Sequence, residues 1–265
     1  MKTGYLGPEG SYSYLAAKKM TPKSALVAYD SFPLAFRALA ADDVDCIVIP
    51  IENSLNGEVT QNIDILQSTS GIIAVEECIV KIEHRLAVSD GADINKIKRI
   101  YSHRQALDQC AQYLFKNFPD ATLFATPSTS ASLDMLKTDE DACIVGAHTR
   151  REGVTLLENN ISDYPENATH FLKVIKGVAD EKKATEKIYF SVTCPNVAGS
   201  LLKLLQRVAA HGLNMSKLQS RPIKGSNDEF AFFIEIECDY SKPEVKRAVE
   251  DIKGAAISFK LLGTY

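Results

Sequence analysis

No apolar run in this sequence approaches the roughly 18 residues that a membrane-spanning helix needs, so no membrane partner is expected. The amino terminus, MKTGYLGPEG, has an early Gly-Pro and lacks the apolar stretch of a signal peptide, which predicts a cytoplasmic protein. Positive charge is not in excess either. The 30 Lys and Arg against 34 Asp and Glu leave −4, whereas a general nucleic-acid binder would carry a basic domain. The six cysteines, 46, 78, 110, 143, 194 and 238, include no C-x-x-C pair, and long gaps separate them. They read as small apolar groups in buried strands, not as disulfides or zinc ligands. No phosphate-binding glycine motif, no H-E-x-x-H and no G-x-S-x-G occurs, so neither a nucleotide, a metal nor a hydrolase nucleophile is indicated. No cofactor is expected.

What remains is an ordinary globular composition, 45% hydrophobic and 24% charged over 265 residues, long enough to bury a large core without staples. From residue 3 to about 176 short apolar runs alternate with helical patterns. Strands are expected at 4–6, 25–29, 45–49 (ended by Pro50), 99–101, 123–125 and 143–145, with extended chain over 72–88. Helices are expected at 14–20, 31–41 (Ser31 as N-cap, Pro33 in its first turn), 60–67, 105–117 and 130–137. Such alternation implies an α/β domain with a mainly parallel sheet, whose ligand sits at loops beyond the strand ends. The segment KGVADEKKATEK, 176–187, has charges but no apolar stripe and reads as a linker. Beyond it come strand 188–194, a helix at 199–211 with Leu201, Leu204, Leu205 and Val208 on one face, and strands 213–221 and 229–238. Helix 243–252 and strand 257–262 complete a βαββαβ, ferredoxin-like unit.

Several strand-to-helix junctions of the first domain are polar: Gly7-Pro8-Glu9-Gly10-Ser11-Tyr12-Ser13, Ile51-Glu52-Asn53-Ser54, Ser102-His103-Arg104-Gln105, Pro127-Ser128-Thr129-Ser130 and Asn167-Ala168-Thr169. Singly each is what helix capping requires. Together they favour a small polar or anionic ligand held by backbone and hydroxyl donors at helix starts. Composition and spacing go no further and name no reaction.

At these same junctions the chain resembles the prephenate dehydratase family. The opening GPEGSYS is similar to its G-P-x-G-T-F-S loop, Pro50–Ser54 with Gly57 to P-I-E-N-S-x-x-G, and 102–107 to S-H-P-Q-A-L, with Arg104 in place of proline. Residues 167–171 resemble N-x-T-R-F, with His170 in place of arginine. In the smaller unit, Pro195-Asn196-Val197-Ala198-Gly199-Ser200-Leu201 and Gln219-Ser220-Arg221-Pro222 resemble the two phenylalanine-sensing motifs of an ACT domain, with Gln219 in place of glutamate.

The resemblance implies a two-lobed, periplasmic-binding-protein-like catalytic domain over 1–178. Its first lobe would comprise about 1–76 and 161–178, and its second about 77–160. A linker at 179–187 and an ACT domain at 188–265 would follow. With no helical mutase segment ahead of the first motif, it implies the single-activity form. The implied reaction is decarboxylative dehydration of prephenate to phenylpyruvate, under feedback by L-phenylalanine. Thr169 would assist loss of the ring hydroxyl, with Asn53 and Ser54 hydrogen-bonding the substrate and Glu52 orienting them. Ser11, Ser13, Ser102 and Gln105 would be carboxylate donors, and Phe171 would lie against the ring. In extended chain Thr169 and Phe171 share a face and His170 points away from it. A histidine there predicts activity that falls as pH rises. Residues 196–201 and 219–222 would hold phenylalanine between subunits of a homodimer or homotetramer. Arogenate (or another cyclohexadienyl substrate) and a non-catalytic amino-acid sensor are the readings that stay open beside it.

Overall fold

The computed structural model describes residues 1–157, 159–223 and 230–265. The chain runs β1 (Lys2–Leu6), α1 (Tyr12–Met20), β2 (Ala25–Tyr29), α2 (Phe32–Ala40), β3 (Cys46–Asn53), β4 (Gly57–Glu58), α3 (Thr60–Ser68) and β5 (Ile72–Lys81). It continues through β6 (His84–Ser89), β7 (Arg99–His103), α4 (Arg104–Gln109), α5 (Ala111–Asn117), β8 (Thr122–Thr126), β9 (Asp141–Gly146), β10 (Val154–Leu156) and β11 (Ala168–Lys176). The last part is β12 (Lys187–Thr193), α6 (Ser200–Ala210), β13 (Asn214–Pro222), β14 (Phe230–Glu237), α7 (Pro243–Gly254) and β15 (Ser258–Thr264). Glu229, expected to open β14, lies outside the described residues.

Local chemistry accounts for the elements and for three departures from expectation. Ser11 caps α1, accepting a hydrogen bond from the Tyr14 amide. Ser31 stands in extended backbone before α2, with Pro33 in the first turn, though its side chain makes no capping bond. The helix expected over 105–117 is broken at Cys110. Asp163 receives the Gln112 and Tyr113 amides there and so supplies a new helix start. The helix expected over 130–137 is a 3₁₀ segment, Ala131–Met135. Ser128 takes the Ala131 amide and Ser132 donates to the Thr129 carbonyl, local bonds that compete with an α-helix.

The third departure concerns Pro50, which does not end β3. The strand runs on to Asn53 because β1 pairs β3 only as far as Val48, so the missing proline N–H interrupts no ladder on that side. Opposite it, β11 pairs Phe171 with Pro50 but His170 with Glu52, leaving Ile51 as the extra residue of a β-bulge.

Two sheets result. β13-β14-β12-β15-β5-β11-β3-β1-β2 lie side by side in one, and β10-β6-β9-β7-β8 in the other. Neither is mainly parallel. β1 pairs β2 and β3 in parallel, but β11 runs antiparallel to β3 and β5. β7 is parallel to β8 and β9, whereas β6 is antiparallel to β9 and β10. The antiparallel pair β5 and β11 carries the chain out of the first lobe and back. β5 stays in the large sheet to Lys81, so the exit falls after that residue and not near 76.

The strands that follow residue 187 join the first lobe directly. β15 continues the large sheet beside β5 at Gly263–Ala74. One apolar cluster joins Ile47, Ile49, Leu66 and Leu172 of the first lobe to Tyr189, Phe233, Leu262 and Tyr265. A Cβ at Gly263 would lie 2.9 Å from the Ala74 Cβ and 2.7 Å from the Tyr265 ring, so the junction requires glycine. The second lobe and the ACT-like unit keep cores of their own. The six cysteines are free thiols, and Cys238 alone of them is not fully buried. No helix of the described residues is long and apolar enough to cross a membrane.

Candidate active site

Between the two lobes lies a cavity of about 350 Å³. Its floor is the β3–β11 pair. In register Asn53 faces Thr169, and Pro50 faces Phe171; all four line the cavity. The bulge at Ile51 makes this possible. Regular alternation would put Pro50 and Glu52 on one face, and the extra residue turns Asn53 to the cleft instead. Its walls include Tyr12 and Ser13 of α1, Phe32, His84, His103, Gln105, Gln109 and Ser128-Thr129. No Asp, Glu, Lys or Arg lines it. A larger groove of about 550 Å³ lies along α2 and α3 and contains none of the motif residues that face the cleft.

The hydrogen bonds of the floor are specific. Asn53 Nδ2 donates to Asn167 Oδ1 (2.8 Å), Thr169 Oγ1 (3.0 Å) and the Ala168 carbonyl (3.1 Å). Asn53 Oδ1 accepts from the Leu55 and Asn56 amides and from Asn56 Nδ2. The amide of Asn53 is therefore fully used by the protein. Because Thr169 Oγ1 accepts that bond, its own proton is left to point elsewhere. Both residues are buried, at 8% and 9% exposure.

At the far wall His84 Nε2 and Gln109 Oε1 are 2.8 Å apart. The amide oxygen can only accept, so Nε2 carries the proton, and His84 Nδ1 and Gln109 Nε2 are left buried without protein partners. Burial drives the His84 pKa below the ordinary histidine value, against the opposing bond to Gln109. A buried acceptor and a buried donor thus stand unpartnered on two of the lining residues. The lobes touch beside the cleft. Tyr12 Oη donates to the Glu83 carbonyl at 2.6 Å, and His148 Nε2 to the Gly10 carbonyl at 2.6 Å. Burial also lowers the His148 pKa; the Gly10 bond opposes this and Arg150 reinforces it.

Of the residues expected from sequence, Thr169, Asn53, Ser13, Gln105 and Phe171 come together in this cavity. Ser54 lies outside it, in an adjoining cavity with Arg104, and exchanges hydrogen bonds with the 167–168 segment. Ser11 is engaged as the α1 cap and with the Leu6 carbonyl. Ser102 is fully buried and donates to the Ile144 carbonyl. Glu52 and His170 do not line the cleft, and of the two Glu52 bonds the ACT-like unit directly. Glu52 is held by Lys217 and His170 by Glu77. His84 and Gln109 were not foreseen. Their signal is a polar side chain on a buried face: His84 alternates with Ile82 and Leu86, and Gln109 sits among Ala106, Leu107 and Cys110.

A second cavity, of about 270 Å³, lies in the ACT-like unit. Asn196, Val197, Gly199, Ser200 and Leu201 line it with Cys194, Phe230 and Phe232. Ala198 stands in the same turn. Gln219, Ser220, Arg221 and Pro222 do not line it. They belong to β13, where Arg221 reaches back to Asp64 (2.7 Å) and the Phe233 ring of the same chain. Among the described residues no cluster of His, Cys, Asp and Glu is arranged to hold a metal ion.

A family model for prephenate dehydratase matches residues 3–178, and one for the ACT domain matches residues 188–254. The chain belongs to the prephenate dehydratase family. It is 32% identical over 274 residues to the prephenate dehydratase of Lactococcus lactis, covering all of this chain and 97% of that protein. It is 30% identical over 266 residues to a bifunctional chorismate mutase/prephenate dehydratase of Neisseria gonorrhoeae, covering 98% of this chain and 73% of the relative. Among solved structures it is similar to a prephenate dehydratase of Arthrobacter aurescens in complex with L-Phe. The TM-score is 0.89 at 26% identity, with all of this chain and 89% of that one covered. The Staphylococcus aureus prephenate dehydratase superposes at TM-score 0.88 and 26% identity over the full length of both chains. The two-lobed catalytic domain followed by a ferredoxin-like ACT domain is thus the architecture of this family, and the family activity is that of a lyase.

Proposed function

We propose that the interlobe cleft converts prephenate to phenylpyruvate, with Thr169 as the residue that touches the departing hydroxyl. The observation that carries this is the Asn53 Nδ2 to Thr169 Oγ1 hydrogen bond on the cleft floor. Prephenate bears a ring hydroxyl, a ring carboxylate and a pyruvyl carboxylate. In the reaction the bond from the ring to its carboxylate breaks, and that electron pair enters the ring. The C–O bond breaks, and the departing oxygen takes up a proton and leaves as water. A threonine hydroxyl is too weak an acid to drive this alone. Fixed by Asn53, it acts as a preorganised donor where negative charge develops.

The apolar part of the lining supplies the other half. A carboxylate brought among Pro50, Phe171, Phe32 and Ile82 is poorly solvated, and loss of CO2 removes that charge. The pyruvyl carboxylate would be met by neutral donors such as Ser13, Gln105 and Gln109. On this reading Asn53 positions Thr169 and does not itself hold substrate, and Glu52 and His170 act from the opposite face. Purified protein given prephenate is expected to release CO2 and phenylpyruvate in equal amounts. Arogenate in its place tests the amino analogue, and a preference for it would correct the substrate.

The ACT-domain cavity supports L-phenylalanine as feedback effector. Phe230 and Phe232 offer apolar surface to an aromatic side chain, and the Ser200 end of α6 offers amides to a carboxylate. Val197, Leu202, Leu218 and Phe230 are exposed on that unit, a surface suited to a second copy and hence to a homodimer or homotetramer. Light scattering of the purified chain is expected to give a dimer or a tetramer, and a monomer would contradict it.

A further inference from the structure

The cleft pair Asn53–Thr169 has a neighbour on the back of the same two strands. One register position away, Glu52 pairs with His170, and neither lines the cleft. Glu52 meets Lys217 of the regulatory domain directly, and His170 meets Glu77 of β5, which in turn holds Lys187 of that domain. Lys217 Nζ of β13 reaches Glu52 Oε2 at 2.5 Å and Glu58 Oε1 at 3.3 Å. Its side chain is only 14% exposed and that of Glu58 4%. Glu52 and Glu58 are themselves cross-strand partners in β3–β4, so Lys217 is the cation between two carboxylates that would otherwise repel. Neither oxygen of Glu58 accepts a hydrogen bond.

His170 Nδ1 donates to Glu77 Oε1 at 2.7 Å. Glu77 Oε2 accepts from Lys187 Nζ of β12 at 2.8 Å, and Lys187 lies 3.4 Å from Glu235. Glu235 in turn accepts from Ser216 and from the Tyr265 hydroxyl. Two charged struts therefore run from the ACT domain to the residues adjoining Asn53 and Thr169.

We infer that Lys217 and Lys187 are positioning residues for the dehydratase site. Lys217 acts through Glu52 and Glu58 on Asn53, and Lys187 through Glu77 and His170 on Thr169. This rests on the reading of Thr169 as the donor to the leaving hydroxyl. Lysine on β13 does what a residue of the cleft cannot. It braces the β3 end from behind, beyond the last β1 pairing at Val48, where β11 flanks β3 on one side and the two-residue β4 on the other. The same sheet carries the effector cavity through Phe230 and Phe232 of β14, the strand paired with β13. Movement of β13 against β14 would reach Asn53 without passing through the cleft.

The test uses full-length Lys217→Gln and Lys217→Arg, with Lys203→Gln on the exposed face of α6 as control. Prephenate turnover and the NMR signal of the Thr169 methyl group are both read. For Lys217→Gln kcat is expected to fall about tenfold or more with KM within about threefold, as loss of transition-state geometry requires. The Thr169 methyl signal should shift in that variant and not in Lys203→Gln. Lys217→Arg should recover most of kcat, and Glu52→Gln should add little to Lys217→Gln. An unchanged kcat together with an unmoved Thr169 methyl would overturn the proposal, as would additive losses in the double variant. If the wild type does not turn over prephenate, the reaction assignment fails. The methyl shift then still decides whether Lys217 positions Thr169.

Discussion

At the scale of single residues, the site separates groups that face the reaction from groups that hold them. The Thr169 hydroxyl proton is not spent on Asn53, whereas Asn53 spends all of its side-chain polar atoms on the protein. Glu77 belongs to the second kind, and it makes a pH prediction. Burial would raise its pKa, but hydrogen bonds from His170 and Lys187 outweigh that and hold it below the ordinary carboxylate value. A depressed carboxylate contributes stability that is present above the unfolded value, about 4.3, and is lost as pH falls through the folded one. Thermal melting of wild type and Glu77→Gln should therefore differ most near neutrality and converge in acid. A gap that widens on acidification would contradict the assignment.

At the scale of elements, most of the fold was legible because the apolar periods are regular. The α6 face of Leu201, Leu204 and Val208 and the βαββαβ order of the last part are direct readings of spacing. What spacing could not carry was long-range. Asp163 splits the 105–117 helix from about fifty residues away in sequence, and the Ile51 bulge depends on β11, which follows more than a hundred residues later. The site followed the same rule. Motif residues such as Asn53 and Thr169 were visible, but which face each took depended on that bulge. Ser11 and Ser102 look alike in sequence, and only their partners show that one caps a helix and the other braces a strand. Ser11→Ala should cost about 1 kcal/mol, the usual loss of an N-cap, seen as a lower Tm. KM for prephenate should stay within about twofold if the hydroxyl serves the helix alone. A large rise in KM with unchanged Tm would return Ser11 to the substrate.

At the scale of the whole molecule, catalytic and regulatory sheets form one surface and share one apolar cluster, joined where Gly263 meets Ala74. The segment 176–187, read from its charges and small residues as a linker, precedes that joint. Gly263→Ala should be destabilising by roughly 1–3 kcal/mol, as overpacking at a rigid contact is. Because the joint is shared, both parts should melt together in calorimetry, whereas two separate transitions would show independent domains. The charge of −4 fits a cleft that attracts a dianion by placed neutral donors and not by a general positive field. The central claim is that the Thr169 hydroxyl, fixed by Asn53, lets the ring hydroxyl depart. Phenylpyruvate formation from prephenate by wild type, Thr169→Ser and Thr169→Ala tests it most directly. The wild type should turn over, and Thr169→Ser should keep much of the rate. Thr169→Ala should lose about a hundredfold to a thousandfold in kcat, the scale of one preorganised donor. A folded Thr169→Ala protein as fast as the wild type would contradict the account.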